Sequence, residues 1–210
     1  MDMQFYGANC LVLSNRQTRI VIDDNLAELG AKSITKDGDI CLFTSEHAAV
    51  QGVAPKLAVA MPGEYEASNV SIFGLQARAH MDEEGKQTAT MYKVTWGDTK
   101  VLVTGHVFPK LTDADLEAIG IVDVMFVPVG GNGYTLDAAG ALQLIKAVEP
   151  KIVIPTHYAD KKLQYEVPQT ELSDALHTMG MEAKETTAKF QFKPAEATDT
   201  TQLVVVEATN

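Results

Sequence analysis

Cysteine is scarce in this chain. Of 210 residues only Cys10 and Cys41 are cysteines. Both fall in apolar, strand-like stretches, so no disulfide framework is indicated and two buried free thiols are expected. Long apolar runs are missing as well. None approaches the roughly 20 residues needed to cross a bilayer. The opening MDMQFYGANC has no basic segment ahead of an apolar one, which is the pattern a secretory leader requires. The expected compartment is the cytoplasm. Positive charge is in deficit, with 17 Lys and Arg against 28 Asp and Glu, a formal net charge of −11. Such a surface repels phosphate backbones and anionic lipids, which argues against nucleic-acid and membrane partners. The acidic residues are scattered, so they form no acidic tail. There is no CxxC pair and no HxxxH on a helix. The glycine-rich stretch Gly130-Gly131-Asn132-Gly133 matches neither a dinucleotide fingerprint nor a P-loop.

What is present is a core. With 46% hydrophobic residues over this length, residues 1–210 suit one domain that needs no staples. The first half reads as short strands. Met3–Tyr6, Cys10–Leu13 and Arg19–Ile22 are separated by turn residues, and Asp23-Asp24-Asn25 closes the third. Ile40–Thr44 and Leu57–Met61 follow. Glu64–Ala67 with Val70–Gln76 is read as a hairpin, and so is Met91–Trp96 with Lys100–Thr104 around Gly97-Asp98. Arg78–Thr88 is polar and loop-like. The pattern then changes to alternating helices and strands. Thr112 caps a helix over Asp113–Ile119 that ends at Gly120. Thr135 or Asp137 caps a second helix through Val148. A third spans Thr170–Met179. Strands are expected at Val122–Pro128, Lys151–Pro155, Phe190–Phe192 and Leu203–Val206.

Four of the five histidines follow predicted strands: His47, His80, His106 and His157. Strand ends that share a rim are where sites are built. Four neutral imidazoles there could hold one zinc or a similar divalent metal. The plain alternative for each is a hydrogen-bonded structural histidine. His177 sits near the end of the third helix, where a cation complements the helix dipole, and is read as a surface residue.

Several segments together resemble the metallo-β-lactamase superfamily, in its lactonase-like and phospholipase-like branch of metal-dependent hydrolases. MQFYGANCLVL resembles the opening strand pair, RIVIDDNL the strand ending in an aspartate, and CLFTSEHAAV the strand leading into the H-x-H-x-D-H motif. MPGEYEASNVSIFGLQA, VDVMFVPVGGNGYTLDAAGA and PKIVIPTHYAD are the more specific segments. The resemblance runs from Met3 to about Tyr158. It implies an α/β fold, a four-layer αββα sandwich with two mixed β-sheets flanked by helices.

The resemblance also implies which positions should hold metal, and several are overwritten. The first motif histidine falls on Ser45 and the second on His47. The aspartate falls on Ala49 and the last histidine on Val50. The middle ligand falls on His80, the bridging aspartate on His106 after Gly105, and the final ligand on His157. The histidine usual after the first glycine is Ala8. Alanine and valine offer no lone pairs, and an imidazole does not bridge two cations as a carboxylate does. The dinuclear centre implied by the family is therefore expected to be lost. Two readings follow. One is a non-catalytic or metal-poor homologue that retains the fold. The other is a mononuclear zinc-type hydrolase of an ester, lactone or phosphodiester, using His47, His80, His106 and His157. Asp24, Glu46, Tyr134 and Asp137 are candidate supporting residues around the pocket. The expected partner is a small molecule of unidentified class, and a homo-oligomer is compatible with the sequence.

Overall fold

A computed structural model of the chain describes residues 1–45 and 52–209. Glu46, His47, Ala49 and Val50 lie outside the described residues.

Two mixed sheets form the body. The smaller has the order β1 (Asp2–Gly7), β2 (Cys10–Ser14), β3 (Arg19–Ile22), β4 (Ile40–Leu42), β5 (Leu57–Val59). Its first three strands run antiparallel, and β3, β4 and β5 are parallel. Strand β1 alternates between half-buried and buried positions, the period-2 pattern that a sheet with one core face imposes.

The larger sheet begins with the hairpin β6 (Gly63–Ala67) and β7 (Val70–Ala77), followed by β8 (Ala89–Trp96) and β9 (Thr99–Val103). Ser68 and Asn69 both have positive φ, 54° and 59°, as a two-residue primed turn requires. Gly97 supplies a φ of 61° at the first position of the next turn. Beyond β9 the sheet is parallel: β10 (Val124–Pro128), β11 (Ile152–Thr156), β13 (Gln202–Val206) and finally β12 (Ala183–Thr187) at the edge.

The inner faces of the two sheets meet in one apolar layer. Phe5, Leu13, Ile22 and Leu42 come from the smaller sheet, and Tyr92, Val103, Phe126 and Ile154 from the larger. Burial of these side chains stabilises the sandwich by roughly 2 kcal/mol each. The outer face of the larger sheet packs on three helices, α1 (Asp113–Ile119), α2 (Ala138–Val148) and α3 (Leu172–Met179). The expected caps are present. Thr112 and Asp115 form a reciprocal capping box, and Asp137 accepts from Gly140 N. Over the outer face of the smaller sheet, the described residues supply turns instead. Leu26 and Leu163 bury against Cys10, Val12 and Val21 there. Cys10 and Cys41 are buried and free, as expected.

Two strand expectations change. Phe190–Phe192 forms no strand. Phe190 makes only a single bridge to Met3, with backbone bonds of 2.8 and 2.9 Å. Strand β12 lacked any apolar signal because four of its five residues are exposed.

Candidate functional site

Strands β7, β9, β10 and β11 all end on the same rim of the larger sheet, because β7 and β9 are each antiparallel to β8 and β9–β11 are parallel. His80, His106 and His157 follow three of these ends. The rim of the smaller sheet meets them there. His157 N donates to Ala8 O at 2.7 Å, Thr156 Oγ1 donates to Asn9 Oδ1 at 2.9 Å, and Thr90 N donates to Thr44 O at 2.8 Å. The segment after β1, the segment after β4 and the segment after β11 thus close one seam.

Within that seam the His106 and His157 rings stand edge to face, with centroids 4.6 Å apart. Tyr134 joins both, edge-on to His106 at 5.1 Å and stacked on His157 at 5.7 Å. It arrives from the glycine-rich turn after β10. The Tyr165 ring also approaches His157, tilted, at 5.3 Å. His80 is tied to the cluster through its backbone, since His80 N donates to His106 O at 2.7 Å.

The backbone at the seam is tightly fitted. Gly105 has a φ of 62°, and a Cβ there would fall 2.3 Å from Thr44 Oγ1. Thr44 in turn donates its amide at 2.7 Å and its hydroxyl at 2.5 Å to the buried Asp23 carboxylate. His157 has a φ of 51°, uncommon for a residue with a Cβ. Three hydrogen bonds of its turn hold it in that conformation: Ala8 O at its amide, Thr156 O accepting from Val129 N, and Gln169 at its ring.

The Gln169 contact determines the chemistry of His157. Gln169 Nε2 donates to Val167 O at 2.7 Å. That fixes the amide so that its oxygen faces His157 Nδ1, at 3.1 Å. The proton of a neutral imidazole must then sit on Nδ1, leaving the Nε2 lone pair available. Only 2% of His157 is exposed, and burial lowers its pKa to about 4, so the ring is neutral at neutral pH. An anchored Nδ1–H with a free Nε2 is the form in which a histidine binds a metal. Burial also lowers the His80 pKa, opposed by the nearby Asp137 carboxylate. His80 Nδ1 is buried with no hydrogen-bond partner among the described residues, a polar atom left for a ligand or water to satisfy.

Among the described residues, no three His, Cys, Asp or Glu side chains are grouped so as to hold a metal ion. The proposed ligand His47 and the supporting Glu46 lie outside them. Tyr134 is at the site. Asp137 caps α2 and acts on His80 through its charge. Asp24 is directed elsewhere. Its Oδ2 accepts from Ser33 Oγ, Ile34 N, Thr35 N and Thr35 Oγ1, at 2.5–2.8 Å. His177 is exposed. Gln169 and Tyr165 had no signal in the sequence, because both lie on an irregular segment beyond the last recognisable motif.

A cavity of about 100 Å³ opens beside His157, lined by Tyr134, Tyr165 and Gln169 with Glu28 and Glu166 at its mouth. Burial raises the Tyr134 pKa, and these two carboxylates add to the rise.

Residues 2–157 match the model of a family described as a Beta-lactamase superfamily domain. This chain belongs to the metallo-β-lactamase superfamily. It is 47% identical over 47 residues to a UPF0173 metal-dependent hydrolase of Thermoplasma acidophilum, covering 21% of this chain and 20% of that protein. It is 46% identical over 43 residues to another from Carboxydothermus hydrogenoformans, covering 20% and 19%. The chain thus spans about a fifth of the length of each of these relatives. A Thermotoga maritima protein of the superfamily, described as a candidate Zn-dependent hydrolase, superposes with a TM-score of 0.74 at 22% identity, covering 98% of this chain and 97% of that one. Igni18, a metallo hydrolase of Ignicoccus hospitalis, superposes with a TM-score of 0.60 at 16% identity over 91% and 99%. These two show the shared fold of two mixed sheets. No helix among the described residues is long and apolar enough to cross a membrane.

Proposed function

We propose that the chain is a superfamily member that has lost the dinuclear centre and holds a single divalent cation, such as zinc, for hydrolysis of a small ester, lactone or phosphodiester. The observation that carries this reading is the Gln169–His157 pair, which presents a neutral imidazole with its Nε2 free. His106, 4.6 Å away by ring centroid, is the second donor and His47 the third, while His80 stands off the cation, since no three of the described side chains group to hold one. A second cation does not fit this donor set. Ala49 and Val50 have no lone pairs, and His106 stands where the family has its bridging aspartate. When bound, one cation supplies Lewis acidity toward a carbonyl or phosphoryl oxygen. The protein's own contribution is to orient the imidazoles and to exclude bulk water with Tyr134 and Tyr165. The small cavity and its acidic mouth favour a compact, uncharged ester or lactone over an anionic phosphodiester.

The competing reading is a non-catalytic binding module, favoured by the same replacement of the aspartate positions by Ala49 and His106. Elemental analysis of tag-free, zinc-loaded protein separates the two. About one metal per chain, lost in both His157→Ala and His106→Ala, supports the single-cation site. Absence of metal from the folded parent protein would overturn it.

A further inference from the structure

One cavity lies away from the histidine seam, over the outer face of the smaller sheet. It measures about 520 Å³, within the range of small-molecule sites. Its apolar walls are Tyr6, Leu26 and Ile34, and its charged liners are Arg19, Lys32 and Lys36. In a chain of net charge −11, no carboxylate lines it among the described residues.

The walls are built rather than loose. The Asp24 carboxylate is only 6% exposed and gathers four donors from Ser33, Ile34 and Thr35. Arg19 donates to Ile34 O at 3.0 Å from one arm and pairs with Asp39 through the other. The wall segment is thus tied down from both its donor and its acceptor sides. Because Asp39 offsets Arg19, the uncompensated charge belongs to Lys32 and Lys36. Both are exposed at the rim and neither has an ion-pair partner among the described residues.

We propose that this cavity binds an anionic amphiphile, specifically a free medium-chain fatty carboxylate. Its chain lies on Tyr6, Leu26 and Ile34, and its carboxylate sits between Lys32 and Lys36. The apolar walls supply affinity through burial. The two ammonium groups supply sign selectivity, since a cationic headgroup on the same chain would be repelled. The acidic remainder of the surface disfavours anionic bilayers, so the ligand is the free molecule and not a membrane.

The test is calorimetric titration of the full chain with decanoate below its micelle concentration. Decyltrimethylammonium, decanol and phosphatidylglycerol vesicles serve as parallel probes. The expected result is saturable binding of about one decanoate per chain, with no binding of the cationic analogue or of vesicles, and decanol at least tenfold weaker. The double variant Lys32→Glu with Lys36→Glu should weaken decanoate at least tenfold while leaving the circular dichroism spectrum and melting temperature unchanged. Filling the cavity with Ala31→Trp should abolish binding. His157→Ala should leave it intact, which separates this site from the histidine seam. Equal binding of decanol, vesicle binding, insensitivity to the lysine charge reversals, or no decanoate binding would each overturn the proposal.

Discussion

Asp23 and Asp24 are neighbours in the chain, yet they fasten different loops. Asp23 takes the amide and hydroxyl of Thr44 at the histidine seam. Asp24 takes Ser33, Ile34 and Thr35 on the outer layer. A φ of 51° at Asp23 lets two successive carboxylates diverge in this way. Asp24→Ala should leave the Ile34 and Thr35 amides without their acceptor and destabilise the fold by about 2 kcal/mol or more. Hydrogen exchange should then show loss of protection at Ile34 and Thr35 while Thr44 stays protected. Uniform loss across both loops would show that the carboxylates do not act separately.

Burial of His157 has a consequence for acid stability. Its folded-state pKa of about 4 lies below the ordinary value of 6.5. Between those values the unfolded chain binds a proton that the folded chain does not. Stability is therefore full above about pH 6.5 and is lost as pH falls toward 4, by about 3 kcal/mol for this group. Urea midpoints of metal-free protein between pH 7 and pH 4.5 should fall accordingly. His157→Gln should flatten the dependence over that interval. An unchanged slope in the variant would assign the acid sensitivity to other groups.

Much of this arrangement was legible in the sequence, for local reasons. Turn residues separated the strands of the smaller sheet, and Thr112 and Asp137 announced their helices because a cap is read within three residues. The convergence of His106 and His157 followed from strand ends sharing a rim. What the sequence hid depends on distant pairing. Strand β12, AKETT, is exposed and owes its conformation to pairing with β13. Gln169 lies twelve positions beyond His157 on an irregular segment, where no periodicity marks its role. Asp24 carried a plausible turn signal, but its acceptors' partners lie nine to eleven residues away.

Gln169 positions His157 without reaching the proposed cation itself. Gln169→Leu removes the acceptor at Nδ1 and lets the ring rotate or change tautomer. Metal affinity, measured by competition with a chromogenic chelator, should fall 10–100-fold. Gln169→Glu keeps an acceptor at Nδ1 and should hold the metal within a few-fold of the parent protein. Equal losses in both variants would mean that side-chain packing, and not the hydrogen bond, is what matters at this position.

Gly130 explains why the Gln169 amide can approach His157 so closely. A Cβ at Gly130 would lie 2.0 Å from the His157 carbonyl oxygen and 2.2 Å from Gln169 Oε1. The first of these is backbone and cannot rotate away, so the turn itself must move. Gly130→Ala should cost at least about 3 kcal/mol, the upper end for overpacking, and should also weaken metal binding by pushing Gln169 out. Gly133, on the same glycine-rich turn, has a φ of 79° but nothing within 4 Å of a built Cβ. Gly133→Ala therefore meets only the left-handed backbone penalty of about 1 kcal/mol. Chemical denaturation of the two variants, with chelator competition alongside, distinguishes close approach from backbone strain. If Gly133→Ala proved as damaging as Gly130→Ala, the need for glycine here would lie in the conformation of the turn and not in its contact with His157.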